Sequence, residues 1–211
     1  MTPSYDRGCF DVRNTAQAKA IILTPEGRTT EDRWQHETPY LAQLMGEHVD
    51  LHARHRVLDY GCGIGRMSKA LIERYGVSVI GVDTSASMRA LACAYVDKGD
   101  FMVTAPGHLM DEGLTQCHHA ISVWVLQHIP EVSSAIDAVY NKLFRHGKWL
   151  VVNMHHRALP MSDGTWVDDG VKVRGMLRDR FHEVAYGAPD VGKTSVVTSE
   201  QSFWGVYQKI D

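Results

Sequence analysis

The chain has 211 residues, 44% of them apolar, and a formal net charge of -3. That is enough apolar material for one sizeable core and too little positive charge for a general nucleic-acid binder. Its four cysteines, Cys9, Cys62, Cys93 and Cys117, are scattered with no CxxC pair, which argues against a disulfide framework or a zinc site and favours a reducing, cytoplasmic setting. The opening MTPSYDRGCF lacks the basic-then-apolar pattern of an export signal, and no apolar run reaches the length of a membrane span.

Residues 1–50 begin polar and irregular. From about Glu37, the residues Leu41, Leu44, Met45 and His48 recur at helical spacing. This stretch reads as a helical N-terminal extension of a single domain, 1–211. Arg56-Val57-Leu58-Asp59 is the first strand candidate. Met67, Ala70, Leu71 and Tyr75 then mark one helix face, stopped by Gly76. Residues 77–82 form the next strand, and Met88, Leu91, Ala92 and Tyr95 the next helix, with Thr84 or Ser85 placed to cap it.

Residues 101–103 are a weaker strand and 120–125 a strong one. Val132, Ala135, Ile136, Val139 and Leu143 give a helical stripe, followed by a fifth strand over 148–152. Strands apolar on both faces that alternate with helices specify a parallel sheet covered on both sides. Toward the C-terminus, a helix over 171–180 precedes two strands, 181–186 and 203–208, joined as an antiparallel hairpin by a long loop. The basic residues Lys172, Arg174, Arg178 and Arg180 read as a solvated helix face.

The informative segment is Val57-Leu58-Asp59-Tyr60-Gly61-Cys62-Gly63-Ile64-Gly65-Arg66-Met67, a strand, a glycine-rich turn and a helix start. Such a turn lets the backbone approach a ligand closely. Asp83, closing the second strand, is placed to accept hydrogen bonds from both ribose hydroxyls of a nucleoside. Two details disfavour a dinucleotide. The third glycine of GxGxxG is replaced by Arg66, and Asp59 stands beside the loop. A pyrophosphate there would meet a like charge, a repulsion of order 4 kcal/mol at about 4 Å and an effective dielectric of 20. A ligand carrying an ammonium and a sulfonium is attracted instead.

At these residues the chain resembles a known family. VLDYGCGIGRMSKAL is similar to the first motif of class I S-adenosylmethionine-dependent methyltransferases and VIGVDTSASM to the second. SVWVLQHIP looks like the segment after their fourth strand, and the run ending in Val152 like their fifth; the likeness covers roughly 41–153. It implies a Rossmann-like α/β fold with a seven-stranded, mostly parallel sheet of order 3-2-1-4-5-7-6, strand 7 antiparallel and helices on both faces. It also implies S-adenosylmethionine as cofactor, S-adenosylhomocysteine as product, and a lid-like role for residues 1–50, where Tyr5 and Trp34 lie.

Carried over, Gly61, Cys62, Gly63 and Gly65 would line the methionine part of the cofactor, with Asp59 near its ammonium. Asp83 would hold the ribose, and Thr84 and Met88 would lie against ribose and adenine. Val123 and Trp124 would contact the methionine or face the acceptor. The chain departs from the family after the third strand, where Thr104-Ala105-Pro106-Gly107 offers no acid; adenine is expected to rest on backbone groups and packing, Ala105 among them. His119 stands where the family often has an acid at the start of the fourth strand.

Gly187-Ala188-Pro189-Asp190-Val191-Gly192-Lys193-Thr194 matches the phosphate-loop pattern GxxxxGK(S/T). That pattern needs a following helix to supply N–H donors. The β-branched run Ser195-Val196-Val197-Thr198 reads as unhelical, so the match is taken as chance. Of the twelve histidines, His52 and His55 read as a surface pair and His118 and His119 as a strand entrance, with no metal site expected. His128, His155 and His156 follow the fourth and fifth strands, at the edge where such sheets bind ligands.

Methyl transfer requires alignment and exclusion of water, with a general base if the acceptor is a hydroxyl. His128, His155 and His156 are the candidate bases, His128 first, with an apparent pKa between about 6 and 7. The stretch Ser122-Val123-Trp124-Val125 lacks the Asn/Asp-Pro-Pro-aromatic signature of amino-methylating enzymes acting on adenine or glutamine amides, and the nucleophilic Cys of cytosine-carbon enzymes. The expected activity is therefore O- or N-methylation of a small molecule, with no nucleic-acid or membrane partner. The alternative is a non-catalytic cofactor-binding module or partner subunit.

Overall fold

The computed structural model describes residues 3–97, 99–111 and 113–211. The first helix, α1 (Thr15–Ile22), starts where the Asn14 side chain accepts the Gln17 N–H. The sequence pattern gave no helix here, although Asn14 is a standard N-cap. Helix α2 (Thr30–His48) begins well before Glu37, capped by Thr29. Its first turns bury Arg33 and Glu37, joined by an ion pair at 2.6 Å. A charged pair thus fills what an apolar stripe would have marked.

Strand β1 (Arg56–Tyr60) and helix α3 (Arg66–Tyr75) follow as expected. Gly65 and Gly76 stand at the two ends of α3 in left-handed conformation, φ 83° and 66°. Next come β2 (Ser78–Val82), α4 (Ala86–Val96) capped by Ser85, and β3 (Phe101–Thr104). Strand β4 (Cys117–Val123) starts earlier than the apolar run suggested and ends before Trp124. Helix α5 (Val132–Lys142) runs directly into a long β5 (Leu143–Met154).

A short ribbon unforeseen from sequence, β6 (Leu159–Pro160) against β7 (Trp166–Val167), precedes α6 (Val173–Arg180) and β8 (His182–Gly187). The hairpin loop then holds a further helix, α7 (Val196–Gln201), before β9 (Ser202–Gln208). The expectation that residues after Lys193 are unhelical is corrected here: Ser195 caps α7 by accepting the Thr198 N–H, a local bond that offsets the weak helix propensity of the valines.

The main sheet runs β3-β2-β1-β4-β5-β9-β8. Set apart from the β6/β7 ribbon, this is the order 3-2-1-4-5-7-6, with β9 antiparallel to both neighbours. Adjacent residues of each central strand face opposite layers, as a two-residue period requires. Leu58, Ile80, Ala120 and Val151 pack against α5 and α6, whereas Val57, Val79, Ile121 and Leu150 pack against α2 and α3.

The basic cluster on α6 is not simply solvated. Arg174 makes a two-point ion pair with Glu183 and lies 3.4 Å from the Tyr186 ring centre. Arg180 pairs with Asp137 at 2.9 Å and covers Tyr140. His55 stacks on His118 at 4.5 Å and approaches His52 and His119, so the two histidine pairs form one cluster around the starts of β1 and β4. No helix among the described residues is long and apolar enough to cross a membrane.

Candidate active site

A cavity of about 910 Å³ opens at the C-terminal ends of β1, β2 and β4. That is near the upper end of the roughly 300–1,000 Å³ typical of ligand clefts. Its wall includes Asp59 of β1, Gly61, Cys62 and Gly63 from the glycine loop, Asp83 and Thr84 from the turn after β2, Met88 of α4, and Val123, Trp124 and His128 at and beyond the end of β4. Two expected cofactor contacts, Gly65 and Ala105, are not in that wall. Gly65 serves packing instead, since a Cβ there would lie 2.4 Å from Val96. Pro106, not Ala105, reaches the cavity, because a tight 3-10 turn over Pro106–His108 follows β3.

The loop's own bonds define what it can hold. Gly61 and Cys62 donate their N–H groups to Val82 O, Gly63 donates to Asp83 Oδ2 at 2.8 Å, and Gly65 donates to Cys62 O. Four amides that could cradle a pyrophosphate are therefore already used. Gly61 has φ 82°, and a Cβ on it would lie 2.3 Å from a Val125 methyl, so the loop and the turn after β4 are in direct contact.

Asp59 is buried, and its Oδ2 accepts from both the N–H and the hydroxyl of Ser68. Burial pushes its pKa up to about 6, the Ser68 bonds working against that shift. Asp83 accepts the Ser85 N–H on Oδ1 and the Gly63 N–H on Oδ2. Each carboxylate oxygen has two lone-pair sites, leaving one on each for a ribose hydroxyl. Burial raises the Asp83 pKa and drives the Cys62 thiol well above its ordinary value, so Cys62 is no nucleophile. An anionic carboxylate by the loop, a second one free to accept from a diol, and four loop amides already engaged suit S-adenosylmethionine better than a dinucleotide.

The other half of the wall follows β4. Trp124 adopts φ 61°, a left-handed conformation costing roughly 1–3 kcal/mol, and its N–H bonds Val152 O at 2.9 Å. This turns the chain out of the sheet and into the segment carrying Gln127 and His128. That segment is pinned from β5 and the residues beyond it. Asn153 Oδ1 accepts the Gln127 N–H, and Ala158 donates to Gln127 O. Arg157, buried at 1% exposure, donates to the carbonyls of Leu126, Ile129 and Pro130 and pairs with Asp169. Nothing in the sequence pattern marked Arg157 or Gln127; a lone arginine has no periodicity to betray its contacts.

His128 Nδ1 lies 2.6 Å from Ala158 O, which fixes the proton on Nδ1 and leaves Nε2 as the acceptor. Gln127 Nε2 donates to that nitrogen at 3.2 Å. Burial lowers the His128 pKa from its ordinary value, so the ring is neutral, and able to take a proton, at neutral pH. The ring packs against Phe10 and Trp166, which also meet each other edge to face. His155 and His156 lie outside the cavity wall. His155 is exposed, packs on Phe203 and donates its N–H to Gln201 O, because β5 extends to Met154 and carries both residues past the cavity.

Trp34 is buried in a cluster with Ala18, Ile64 and Met88, its indole N–H bonding the Tyr95 hydroxyl. Tyr5 pairs with Met161 of the ribbon's loop and lines the cavity. The phosphate-loop match is closed. Its Asp190 carbonyl accepts the N–H groups of Lys193 and Thr194, and its own N–H is taken by the Tyr40 hydroxyl.

Comparison with known proteins agrees with this geometry. A family model described as "Methyltransferase domain" matches residues 27–203. The chain belongs to that family and is a class I S-adenosylmethionine-dependent methyltransferase. Among solved structures, the cyclase SpnF superposes with a TM-score of 0.68 at 15% identity, covering 90% of this chain and 86% of that one. The N-methyltransferase NodS from Bradyrhizobium japonicum, in complex with S-adenosylhomocysteine, gives 0.66 at 13% identity, covering 94% and 100%. The 1,6-didemethyltoxoflavin-N1-methyltransferase of Burkholderia thailandensis gives 0.62 at 17% identity, covering 86% and 82%. Identities this low speak for the fold alone. No match was found among curated proteins.

Proposed function

We propose that this methyltransferase acts on an oxygen or nitrogen of a small, largely apolar molecule, with His128 as the base. The observation that carries the reading is the division of the cavity wall. Asp59, the glycine loop and Asp83 form a polar end, whereas Tyr5, Phe10, Ile129, Met154 and Trp166 join His128 at a more apolar one, with Arg7, Gln127 and Glu131 as polar groups in that wall. The cofactor supplies an electrophilic methyl group on its sulfonium. The chain's part is to orient the acceptor, exclude water and remove one proton. An acceptor hydroxyl would replace Gln127 as the donor to His128 Nε2, and the bond from Nδ1 to Ala158 O would stabilise the imidazolium that forms.

Residues 1–50 serve as a lid in this reading. Asp6 donates its N–H to Pro160 O, Ser162 donates to Ser4 O, and the Ser85 hydroxyl donates to Asp11. These bonds support a strap that runs from the β6/β7 ribbon to the start of α4. No nucleic-acid or membrane partner is part of the proposal. The test is incubation of the pure protein with S-adenosylmethionine and a panel of hydroxylated and amino aromatics, reading a mass gain of one methylene. Transfer to such compounds is expected. Cofactor binding without transfer to any of them would leave a cofactor-binding module or partner subunit.

A further inference from the structure

Arg66 sits in the cavity wall without a carboxylate in direct contact. It is 3% exposed, yet its guanidinium makes one hydrogen bond, from Nη1 to Thr38 Oγ1 at 3.4 Å, and lies 5.6 Å from the Trp34 ring centre. Among the described residues it forms no ion pair. Asp59 and Glu37 are near enough to act on it electrostatically, but Asp59 is bound to Ser68 and Glu37 to Arg33. Burial lowers its pKa only to about 10, so it remains a cation. Arg33, also in the wall, shows the contrast: it bonds both oxygens of Glu37 and the carbonyl of Thr24. Buried arginines are ordinarily paired, so a partner for Arg66 has to come from a ligand.

Resting on the cofactor assignment above, we infer that Arg66 binds the α-carboxylate of S-adenosylmethionine. That carboxylate is the only anionic group the cofactor carries, and its amino-acid end is a zwitterion. Arg66, the first residue of α3, and Asp59, the fourth of β1, flank the same glycine loop. One offers a fork of N–H donors and the other a carboxylate, a complement to the two charges. Arg66 thereby makes the site selective for a cofactor with an intact amino-acid moiety.

The test is calorimetric, on the full chain and without turnover. S-Adenosylhomocysteine is compared with 5′-methylthioadenosine, which keeps the nucleoside and thioether but lacks the amino acid. Arg66→Gln should weaken S-adenosylhomocysteine by about 10- to 100-fold, as expected for loss of charge-assisted bonds. It should leave methylthioadenosine within about twofold, and Arg66→Lys should recover part of the loss. Equal losses for both ligands, or unchanged S-adenosylhomocysteine affinity with a raised KM for the methyl acceptor, would overturn the inference. Failure of the wild type to bind S-adenosylhomocysteine at all would instead remove the cofactor assignment beneath it.

Discussion

The two ends of the cavity differ in how their residues are distributed along the chain. The cofactor end draws on 59–67 and 82–88, two neighbouring strand-to-helix turns. The proposed acceptor end is assembled from residues near 5–10, 123–130, 154–158 and Trp166, four segments whose contacts exist only in the folded chain. Local construction fixes spacing, and spacing is what a sequence displays. Non-local construction leaves residue identity free to vary with substrate, which is how one fold can serve many acceptors.

The largest expected effect lies at the acceptor end. His128→Gln should lower kcat on the order of 10²–10⁴-fold while leaving S-adenosylhomocysteine affinity within a few-fold. Because burial lowers the His128 pKa, the wild-type rate should rise with pH through an apparent value below 6.5 and be flat above it. Loss of cofactor affinity in place of rate would show that the two ends are not separable.

At the cofactor end, Asp83→Ala removes two charged acceptor sites for ribose hydroxyls and should weaken S-adenosylhomocysteine by at least about tenfold in calorimetry. A folded variant with unchanged affinity would contradict the placement of the ribose. A smaller effect concerns Asp59. Its raised pKa means that, between the ordinary carboxylate range and about 6, the folded chain keeps a proton that the unfolded chain has lost. The ligand-free fold therefore loses stability as pH rises through that window and is level above it. A cationic ligand prefers the ionised form, so cofactor affinity should fall by up to about tenfold from pH 7 to pH 5. Asp59→Asn should flatten that dependence.

The smallest effect is at the hairpin loop. Lys193→Ala should leave the methyl-transfer rate unchanged, and wild type should show no magnesium-dependent ATP binding. Saturable ATP binding abolished by this substitution would reopen the phosphate-loop reading that Asp190 closes from within.

The same contrast sets how much of the molecule was legible in advance. The central strands and helices α3, α4 and α5 could be read to within a few residues, α3 and α4 because an apolar period combines with a local stop or cap, α5 by its apolar stripe alone. Helix α7 was misread because its propensity is poor and one capping hydroxyl, Ser195, decides the matter. Of the histidines, His128 was reachable from its place after β4. His155 and His156 were misplaced because the length of β5 depends on pairing with β9, a non-local fact. Arg66 could be read only as the residue replacing a glycine; its burial without an ion pair appears only once α2 packs against α3.

The central claim is that the glycine loop, Asp59 and Asp83 form a site for S-adenosylmethionine and not for a pyrophosphate. Calorimetric titration of the pure protein with S-adenosylhomocysteine, NAD and NADP tests it most directly. Saturable binding of S-adenosylhomocysteine with no detectable binding of either dinucleotide is the predicted result. Tighter binding of NAD or NADP would contradict the account.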